Sequence, residues 1–575
     1  MKDSSFYVFF IFHIVKKKID LPIAIAINVL FFVLFAFLGV FRYGALDDYF
    51  MSTVLTGAYG SEFDPHLVFV NGVLAYCLMP LYYLFPSVGW FYIFEMSSIF
   101  GAFTLFSYCL IRQLGFRLGV PLAVLLSSVA IEFYASVSFT ICAPLFAASG
   151  AILFVKGSIR KKLLWLATGC ILLVLGAMLR FQMFLLVIPF LGALLLWAHF
   201  PFKTVPKKSL IALVLCGLVI YGVNTFDVNL YKNSEYKYYK EYQYKRAFFG
   251  DGAHYDKEAI SDELEERGMV PLDFQLLCAW NFYDTQVFSK DSLDAIIKIA
   301  NRNVYVENKQ RLPAAVAMGI SSAFTRNMAW CWCFVCVLIL LFTEKKSRLY
   351  PWVSLALVIA SYIYLLQLNR LVSHVEMGIW LYAAVMGIPL LQRNNAVADV
   401  LGKIASRLPI IVSLFALVFL VGTILSLPKE NRNRAIFAVP EMSSDWQNFL
   451  EYANENINNV YLLSFYQYKD LGFVKNPPYR AAKPGSWQNI IPIGYWNINL
   501  PGMKRELEKR GVENPLRDIV NNNVYTIETG NNPSYQLFYK IHYHKNLAVD
   551  TVQTFGNLMV LKYREEVTDG KITED

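Results

Sequence analysis

Long apolar runs alternate with short basic segments along most of the chain. An α-helix needs about 20 apolar residues to cross about 30 Å of hydrocarbon. We predict eleven such segments, near 21–41, 90–111, 119–137, 139–155, 163–180, 182–199, 209–226, 327–342, 350–367, 375–392 and 408–427. The pattern therefore predicts an all-α polytopic membrane protein with about eleven transmembrane helices.

The positions of Lys and Arg predict how these helices are oriented. With residues 1–20 as a cytoplasmic N-terminus, most basic residues of the short loops fall on the inner side, and the short outer loops carry essentially Arg42, Arg180 and Arg370. A twelfth span at 66–85 would move the basic loops outside. The positive-inside rule thus favours a helix at 66–85 that lies on or dips into the outer surface. We expect a multi-pass protein of the plasma membrane.

Two polar segments are long enough to fold outside the membrane. A loop at 227–325 follows the seventh span, and a tail at 428–575 follows the last span of a transmembrane domain covering 21–427, whose first outer loop is at 42–89. Capping residues and periodicity in the tail predict helices at 446–452 and 503–510 and strands at 460–465, 524–527 and 558–562. The tail is expected to be a small extracytoplasmic α/β domain.

The composition agrees with a membrane protein. Of the 575 residues, 56% are hydrophobic and 17% charged, and the mean hydropathy is +0.42, which is unlike a soluble domain. Much of the net charge of +9 lies in the short loops, where it sets membrane orientation, so no nucleic-acid partner is predicted. Eight of the nine cysteines fall in apolar segments, and no disulfide framework is expected.

An adjacent acidic pair, Asp47-Asp48, follows the first span directly. Carboxylates beside a bilayer are costly unless they remain in water or take part in chemistry. One interpretation is that at least one of them is a general base. The other is that they cap a helix from Tyr49 to Thr56.

Two further groups are candidates for binding a metal or an acceptor. Asp64 and His66 lead into the surface helix, and the alternative is that Asp64 caps this helix with Pro65 at its first position. In the large loop, the second group lies around two glycines, and the favoured alternative is a solvated turn. It consists of Asp251, His254 and Asp256. No cofactor is assigned, and a divalent metal ion remains an open alternative.

The order of these features resembles the GT-C superfamily of integral membrane glycosyltransferases, which includes the protein O-mannosyltransferases and the lipid A aminoarabinose transferases. Asp47-Asp48 corresponds to the acidic pair after span one, and Asp64-Pro65-His66-Leu67 to a displaced form of the Pro-Pro motif before the surface helix. Arg180 corresponds to a basic residue between spans five and six. The large loop follows span seven, as in the family, and the resemblance covers about 21–427.

The resemblance implies an inverting transfer of a sugar from a polyprenyl-phosphate donor to an acceptor hydroxyl on the outer face. Asp47 is the preferred base, since the first acidic residue commonly has this role in the family, and Asp48 is the second candidate. Arg180 and Arg370, at outer ends of spans, are candidates for contacting the donor phosphate, because guanidinium groups bind phosphate oxygens in pairs. The alternative for both arginines is an interfacial side chain that reaches water.

Other functions remain open at this point. A polysaccharide polymerase or ligase of the cell envelope would share the lipid-linked donors and the large outer loop. A non-catalytic transporter or scaffold would also have many spans. For the enzyme, the expected partners are a polyprenyl-phosphate-linked sugar, a lipid, glycan or protein acceptor, and the surrounding membrane lipids.

Overall fold

The computed structural model describes residues 3–39, 41–60, 62–199, 206–232, 235–250, 257–266, 270–302, 317, 320–321, 323–368, 370–391, 395–426, 444–471, 477–530 and 532–566. Most of them form helices. The first fourteen helices are α1 (Asp3–Phe37), α2 (Leu46–Leu55), α3 (Gly72–Leu84), α4 (Trp90–Leu114), α5 (Phe116–Tyr134), α6 (Phe139–Arg160), α7 (Leu163–Leu179), α8 (Phe181–Leu185), α9 (Val187–His199), α10 (Lys207–Lys232), α11 (Tyr236–Gly250), α12 (Lys257–Glu266), α13 (Pro271–Cys278) and α14 (Lys290–Arg302). The later helices are α15 (Asn327–Phe342), α16 (Tyr350–Gln367), α17 (Ser373–Val385), α18 (Asn395–Ser426), α19 (Ser444–Glu455), α20 (Phe465–Lys469), α21 (Pro501–Lys509) and α22 (Pro533–Tyr543).

Seven helices within these described ranges are long and apolar enough to cross a membrane. They are Ile19–Phe37, Trp90–Leu114, Phe116–Tyr134, Phe139–Arg160, Phe181–His199, Lys207–Lys232 and Ser347–Leu366. Three other predicted spans fall on shorter apolar helices, Leu163–Leu179, Asn327–Leu341 and Arg407–Gly422. The predicted span at 375–392 falls on α17 and a following 3-10 turn. The structure thus has seven candidate membrane-spanning helices among its described residues, and the count of about eleven stays a prediction.

Helices α6 and α7 form a tight antiparallel hairpin. A Cβ added to Gly150 would lie 2.7 Å from the carbonyl oxygen of Gly169, and one added to Gly169 would lie 2.7 Å from the nitrogen of Phe154. Small residues let helix backbones approach this closely inside a membrane. The chain reverses at Lys161, whose φ of 55° is left-handed. The hairpin therefore brings the start of α6 and the end of α7, at Arg180, to the same end of the bundle.

The surface helix begins later than the sequence predicts. It starts at Gly72 instead of His66, and Asn71 is its N-cap, with Oδ1 accepting from the nitrogen of Val73 at 3.0 Å. Asp64 does not cap this helix, because Asp64 Oδ1 accepts from the backbone nitrogen of His66 at 2.9 Å instead. The helix predicted from Tyr49 to Thr56 also differs, since α2 starts at Leu46 and contains both aspartates in its first turn.

The C-terminal region forms a five-stranded mixed sheet in the order β2-β1-β3-β5-β4. Its strands are β1 (Val460–Leu463), β2 (Ile490–Pro492), β3 (Val524–Glu528), β4 (Leu547–Phe555) and β5 (Leu558–Glu565). Strand β1 pairs in parallel with β2 and β3, whereas β3–β5 and β5–β4 are antiparallel. The prediction of a small α/β region is confirmed in β1, β3, β5, α19 and α21, and it missed β2, β4 and α22.

The C-terminal region packs directly on the segment between α1 and α4. The nitrogens of Gly485 and Trp487 donate to the carbonyls of Gly57 and Ala58 at 2.9 and 2.8 Å. The nitrogen of Gly89 donates to the carbonyl of Tyr479 at 2.8 Å. These backbone bonds place the sheet at the end of the bundle that carries Asp47.

Candidate functional site

Asp47 lies in the first turn of α2, and its carboxylate is held by two side chains of the C-terminal region. Oδ1 accepts a hydrogen bond from Trp496 Nε1 at 2.9 Å and another from the hydroxyl of Tyr495. Both donors belong to the 3-10 turn Tyr495–Asn497, which follows β2. Burial, followed by the charge of Asp47, raises the pKa of the Tyr495 hydroxyl, so this hydroxyl keeps its proton and remains a donor.

Asp48 has different surroundings from its neighbour. It is fully buried, and Oδ1 accepts from the backbone nitrogen of Phe139 at 2.8 Å. The carboxyl group of Glu95, which is fully buried on α4, lies close enough to interact with it electrostatically. Burial raises the pKa of Asp48 well above its usual range. Two neighbouring buried carboxyl groups ionise together only at high cost, so this environment favours the protonated form of Asp48.

Arg180 reaches the same site through aromatic rings. Its guanidinium carbon lies 4.9 Å from the ring centre of Phe139 and 5.3 Å from that of Phe69. These two rings stack with centres 5.5 Å apart, and Phe69 meets Trp496 edge-on at 4.6 Å. The structure thus connects Arg180 to both aspartates through aromatic residues. Phe69 contacts Trp496, which donates to Asp47, and the backbone nitrogen of Phe139 donates to Asp48.

One face of α11 holds the Trp496 backbone. Tyr239 donates from its hydroxyl to the Trp496 carbonyl at 2.8 Å, and Gln243 Nε2 donates to the carbonyls of Trp496 and Ile498 at 3.3 and 2.7 Å. The spacing of four places Tyr239 and Gln243 on one side of a helix. This face of α11 therefore packs on the turn that carries Trp496.

Arg246 lies on the same face of α11 and is a residue that sequence reasoning missed. Its side chain is 2% exposed, and its guanidinium carbon lies 4.1 Å from the ring centres of both Trp280 and Trp496. Nε donates to Gln243 Oε1 at 3.1 Å. A planar cation between two indole rings gains from the electrostatic attraction of both faces. Arg246 thereby supports the ring that donates to Asp47.

Two bulky residues beside Asp47 have left-handed backbone conformations. Trp280 has φ 63° and Tyr495 has φ 65°, a region that side chains with a Cβ rarely occupy. Their ring centres are 5.3 Å apart. The approach also requires Gly494, because a Cβ there would lie 1.6 Å from the carbonyl oxygen of Trp280. Strained residues of this kind persist only where the surroundings fix them, and they cluster at functional sites.

Asp64 and His66 lie against α11 and bind each other. Asp64 Oδ1 contacts His66 Nδ1 at 2.7 Å, and Asp64 Oδ2 accepts from the hydroxyl of Tyr236. The His66 ring stacks on the Tyr236 ring at 3.6 Å. These contacts connect the segment before α3 to α11, which is a sufficient structural reason for both residues. Their role toward a metal or an acceptor stays a prediction.

No group of three or more His, Cys, Asp or Glu side chains within the described ranges could hold a metal ion. The candidates Asp251, His254 and Asp256 lie outside the described residues. The residues present near Asp47 are mostly aromatic rings, backbone groups and hydrogen-bond donors.

The remaining sequence candidate, Arg370, and an ion-paired cluster lie elsewhere at this end of the bundle. Arg370 is exposed between α16 and α17, and its predicted phosphate contact stays a prediction. Glu376, 4% exposed, accepts from Arg326 Nε at 2.9 Å and from the Tyr362 hydroxyl at 2.5 Å. His374 lies within electrostatic range of both Arg180 and Arg326. This ion-paired cluster connects α15, α16 and α17.

An apolar cavity also occurs inside the bundle, between α4, α5, α15 and α17. Its lining includes Leu110, Leu122, Phe334, Leu338 and Ile388. Leu110 is near the end of α4 that lies away from Trp90, so the cavity sits toward the opposite end from Asp47. With an apolar lining and no acid or base, it offers no chemistry. The candidate site is therefore the Asp47 cluster.

No protein-family model, no curated protein and no solved structure matches this chain.

Proposed function

We propose that this protein is a membrane glycosyltransferase of the GT-C type, which moves a sugar from a polyprenyl-phosphate donor to an acceptor hydroxyl. The observation that carries the proposal is the surroundings of Asp47. This carboxylate is oriented by two hydrogen-bond donors at one end of an apolar helical bundle, with the cationic Arg180 in the same aromatic cluster. Such an arrangement suits a reaction that needs a base and a cation where lipid meets water.

Asp47 is the better candidate for the base than Asp48. A general base must be ionised to take the proton of the attacking hydroxyl. Asp48 is fully buried, and its Oδ1 already accepts from the backbone nitrogen of Phe139, so it is poorly placed to take a proton from an acceptor. Asp47 accepts two hydrogen bonds that favour its charged form.

Arg180 is proposed to stabilise the leaving phosphate. As the bond from the anomeric carbon to the phosphate oxygen breaks, its electron pair stays on that oxygen, and negative charge develops there. A cation already in place stabilises this charge without reorganisation. The acceptor oxygen forms the new bond to the anomeric carbon while its proton goes to Asp47. A single displacement of this kind inverts the anomeric configuration.

The proposed orientation places the Asp47 end of the bundle outside the cell and about eleven spans across the membrane. The hairpin turn at Arg160-Lys161-Lys162 lies at the far end of α6 from Phe139, about 33 Å away for a 22-residue helix. Arg112, near the end of α4, pairs at 2.9 Å with Asp20, near the start of the span Ile19–Phe37, and this pair is also at the end away from Asp47. Basic residues at one end and Asp47 at the other agree with the positive-inside rule.

A polysaccharide polymerase or ligase is the second candidate. The observation in its favour is Arg246, a buried arginine that the large loop contributes beside the site. Such enzymes use arginine and histidine of that loop, whereas the first candidate requires Asp47 as the base. The two proposals therefore differ in which residue is indispensable.

The test is a transfer assay with purified protein reconstituted in vesicles and a panel of radiolabelled polyprenyl-phosphate sugars. Wild type, Asp47→Asn and Arg246→Lys are compared, with Asp550→Asn as a control at an exposed aspartate. We expect wild type and the control to release free polyprenyl phosphate, and Asp47→Asn to release almost none. Full activity of Asp47→Asn, with loss in Arg246→Lys, would favour the polymerase or ligase. No release from any donor would contradict the proposed function.

A further inference from the structure

We infer that Tyr495 and Trp496 of the C-terminal region are positioning residues, which hold the Asp47 carboxylate ionised and in a fixed orientation. The catalytic consequence of this inference rests on the proposed function. The site would then be composite, with its base on α2 and the groups that orient the base more than 400 residues later in the chain.

The geometry at the carboxylate supports this role. Both donors point to the same oxygen, Oδ1, and both side chains are largely buried, with Tyr495 8% and Trp496 3% exposed. A hydrogen bond to an ionised acceptor is stronger than one between neutral groups. Two donors on one oxygen restrict rotation of the carboxylate and favour its charged form.

The turn that carries the donors is held independently of Asp47. Tyr239 and Gln243 donate to the Trp496 carbonyl, and Arg246 packs on its indole ring. Tyr495 retains a left-handed backbone against Trp280. A strained turn that several elements fix in place presents its donors to the carboxylate in one arrangement. This preorganisation is what a positioning role requires.

Docking of the C-terminal region does not depend on the two bonds to Asp47. Backbone hydrogen bonds connect Gly485 to Gly57, Trp487 to Ala58 and Tyr479 to Gly89, at places separate from the 495–497 turn. A side-chain bond, Tyr59 to Tyr468 at 3.1 Å, adds to them. Removing one hydroxyl from the turn should therefore leave the domain in place, and its effect can be assigned to Asp47.

The substitution that isolates the effect is Tyr495→Phe. It removes the donated hydrogen bond but keeps the ring that packs on Trp280 and Phe465. With one donor lost, the charged carboxylate is less stabilised, so it takes up a proton at a higher pH. We expect the acid limb of the kcat/KM profile to move up by about one pH unit. Trp496→Phe removes the second donor and should move the limb in the same direction.

The matched control is Tyr466→Phe, at an exposed tyrosine of the same region that is 67% exposed. Its profile should coincide with that of wild type. An unchanged acid limb in Tyr495→Phe, with an unchanged rate at high pH, would overturn the inference. Loss of activity at every pH without a shift would also overturn it, since that result indicates a purely structural role.

A measurement without substrate separates this inference from the proposed function. The protonated carboxyl of Asp47 is followed by its C=O stretch in infrared difference spectra of wild type minus Asp47→Asn, titrated with pH. The same difference is taken in the Tyr495→Phe background. A midpoint about one pH unit higher there supports the inference even if no donor is turned over. Equal midpoints would reject it even in an active enzyme.

Discussion

Asp47 and Asp48 are consecutive on α2, and the structure gives them opposite surroundings. Asp47 faces the C-terminal region and accepts from Tyr495 and Trp496, whereas Asp48 is fully buried and accepts from the backbone nitrogen of Phe139. Consecutive residues of a helix point about 100° apart, so one turn can serve two regions. The acidic pair is thus one partly exposed carboxylate bound by the C-terminal region and one buried carboxyl group bound by the start of α6.

The largest expected effect is the difference between the transfer rates of Asp47→Asn and Asp48→Asn. This difference tests directly whether the two aspartates have separate roles. Removing a general base costs typically about 10²–10⁴-fold, which we expect for Asp47→Asn. Asparagine resembles a protonated aspartic acid in size and in hydrogen bonding, so Asp48→Asn should stay within about threefold of wild type. Initial rates of polyprenyl phosphate release in vesicles check the ratio.

The control for these rates is the amount of folded protein, measured by gel filtration in detergent. If Asp48→Asn loses as much activity as Asp47→Asn while remaining folded, the assignment of separate roles is wrong. A transfer rate of Asp47→Asn far below that of Asp48→Asn, with both variants folded, would support the assignment.

The second prediction concerns stability, where the larger effect is expected at Asp48 and the smaller one at Asp47. Asp48→Ala removes the acceptor for the buried nitrogen of Phe139, and a buried donor left without a partner costs about 1–3 kcal/mol. Asp48→Asn retains an acceptor at this place and should lose much less stability. Asp47→Ala, at a partly exposed position, should also lose less than Asp48→Ala. Thermal unfolding in detergent orders the three variants, and an equal midpoint for Asp48→Ala and Asp47→Ala would contradict the prediction.

Much of the fold could be predicted from local patterns. Apolar runs identify the seven candidate spans. The strands β1, β3 and β5 are themselves apolar segments, and most of their residues are buried. Strand β2 has only three residues, and β4 is a largely exposed edge strand, so neither has a strong apolar pattern. The surface helix begins late because Asp64 is bound to His66 and Tyr236, a tertiary contact with no local signal.

The residues of the candidate site also differ in whether the sequence could identify them. Asp47, Asp48 and Arg180 stand at the ends of apolar runs, where a charged residue is conspicuous in the sequence. Glu95 also had a signal, since it interrupts an apolar run and acidic residues there are rare. Tyr495 and Trp496 had none, because their meeting with Asp47 depends on the docking of the whole C-terminal region.

A third prediction concerns the pH dependence of stability. Burial raises the folded-state pKa of Asp48 above its unfolded value, so the stability that its protonated form contributes is complete below about pH 4 and is lost as pH rises through the folded-state value. The double variant Asp48→Asn/Glu95→Gln replaces both carboxyls by neutral amides. Wild type should therefore lose at least about 1 kcal/mol relative to this variant between pH 4 and 8. Unfolding measured across this range checks it, and a constant difference would contradict a raised pKa of Asp48 in the folded state.

The smallest expected effect concerns the support of Asp47, and Arg246→Lys tests it. Lysine retains the charge but lacks the planar guanidinium that lies 4.1 Å from both indole rings, so the contact loses about 1 kcal/mol. Trp496 should then be held less firmly, and transfer should fall a few-fold, much less than in Asp47→Asn.

The matched control is Arg505→Lys, at an arginine that is 53% exposed and paired with Glu235. Exposed pairs contribute about 0–1 kcal/mol, so this variant should resemble wild type in both thermal midpoint and rate. If Arg246→Lys instead abolishes transfer while its midpoint falls no further than that of Arg505→Lys, then Arg246 acts on the substrate itself. The difference between Asp47 and Asp48 would then describe only part of the site, because a second indispensable charge would come from the large loop.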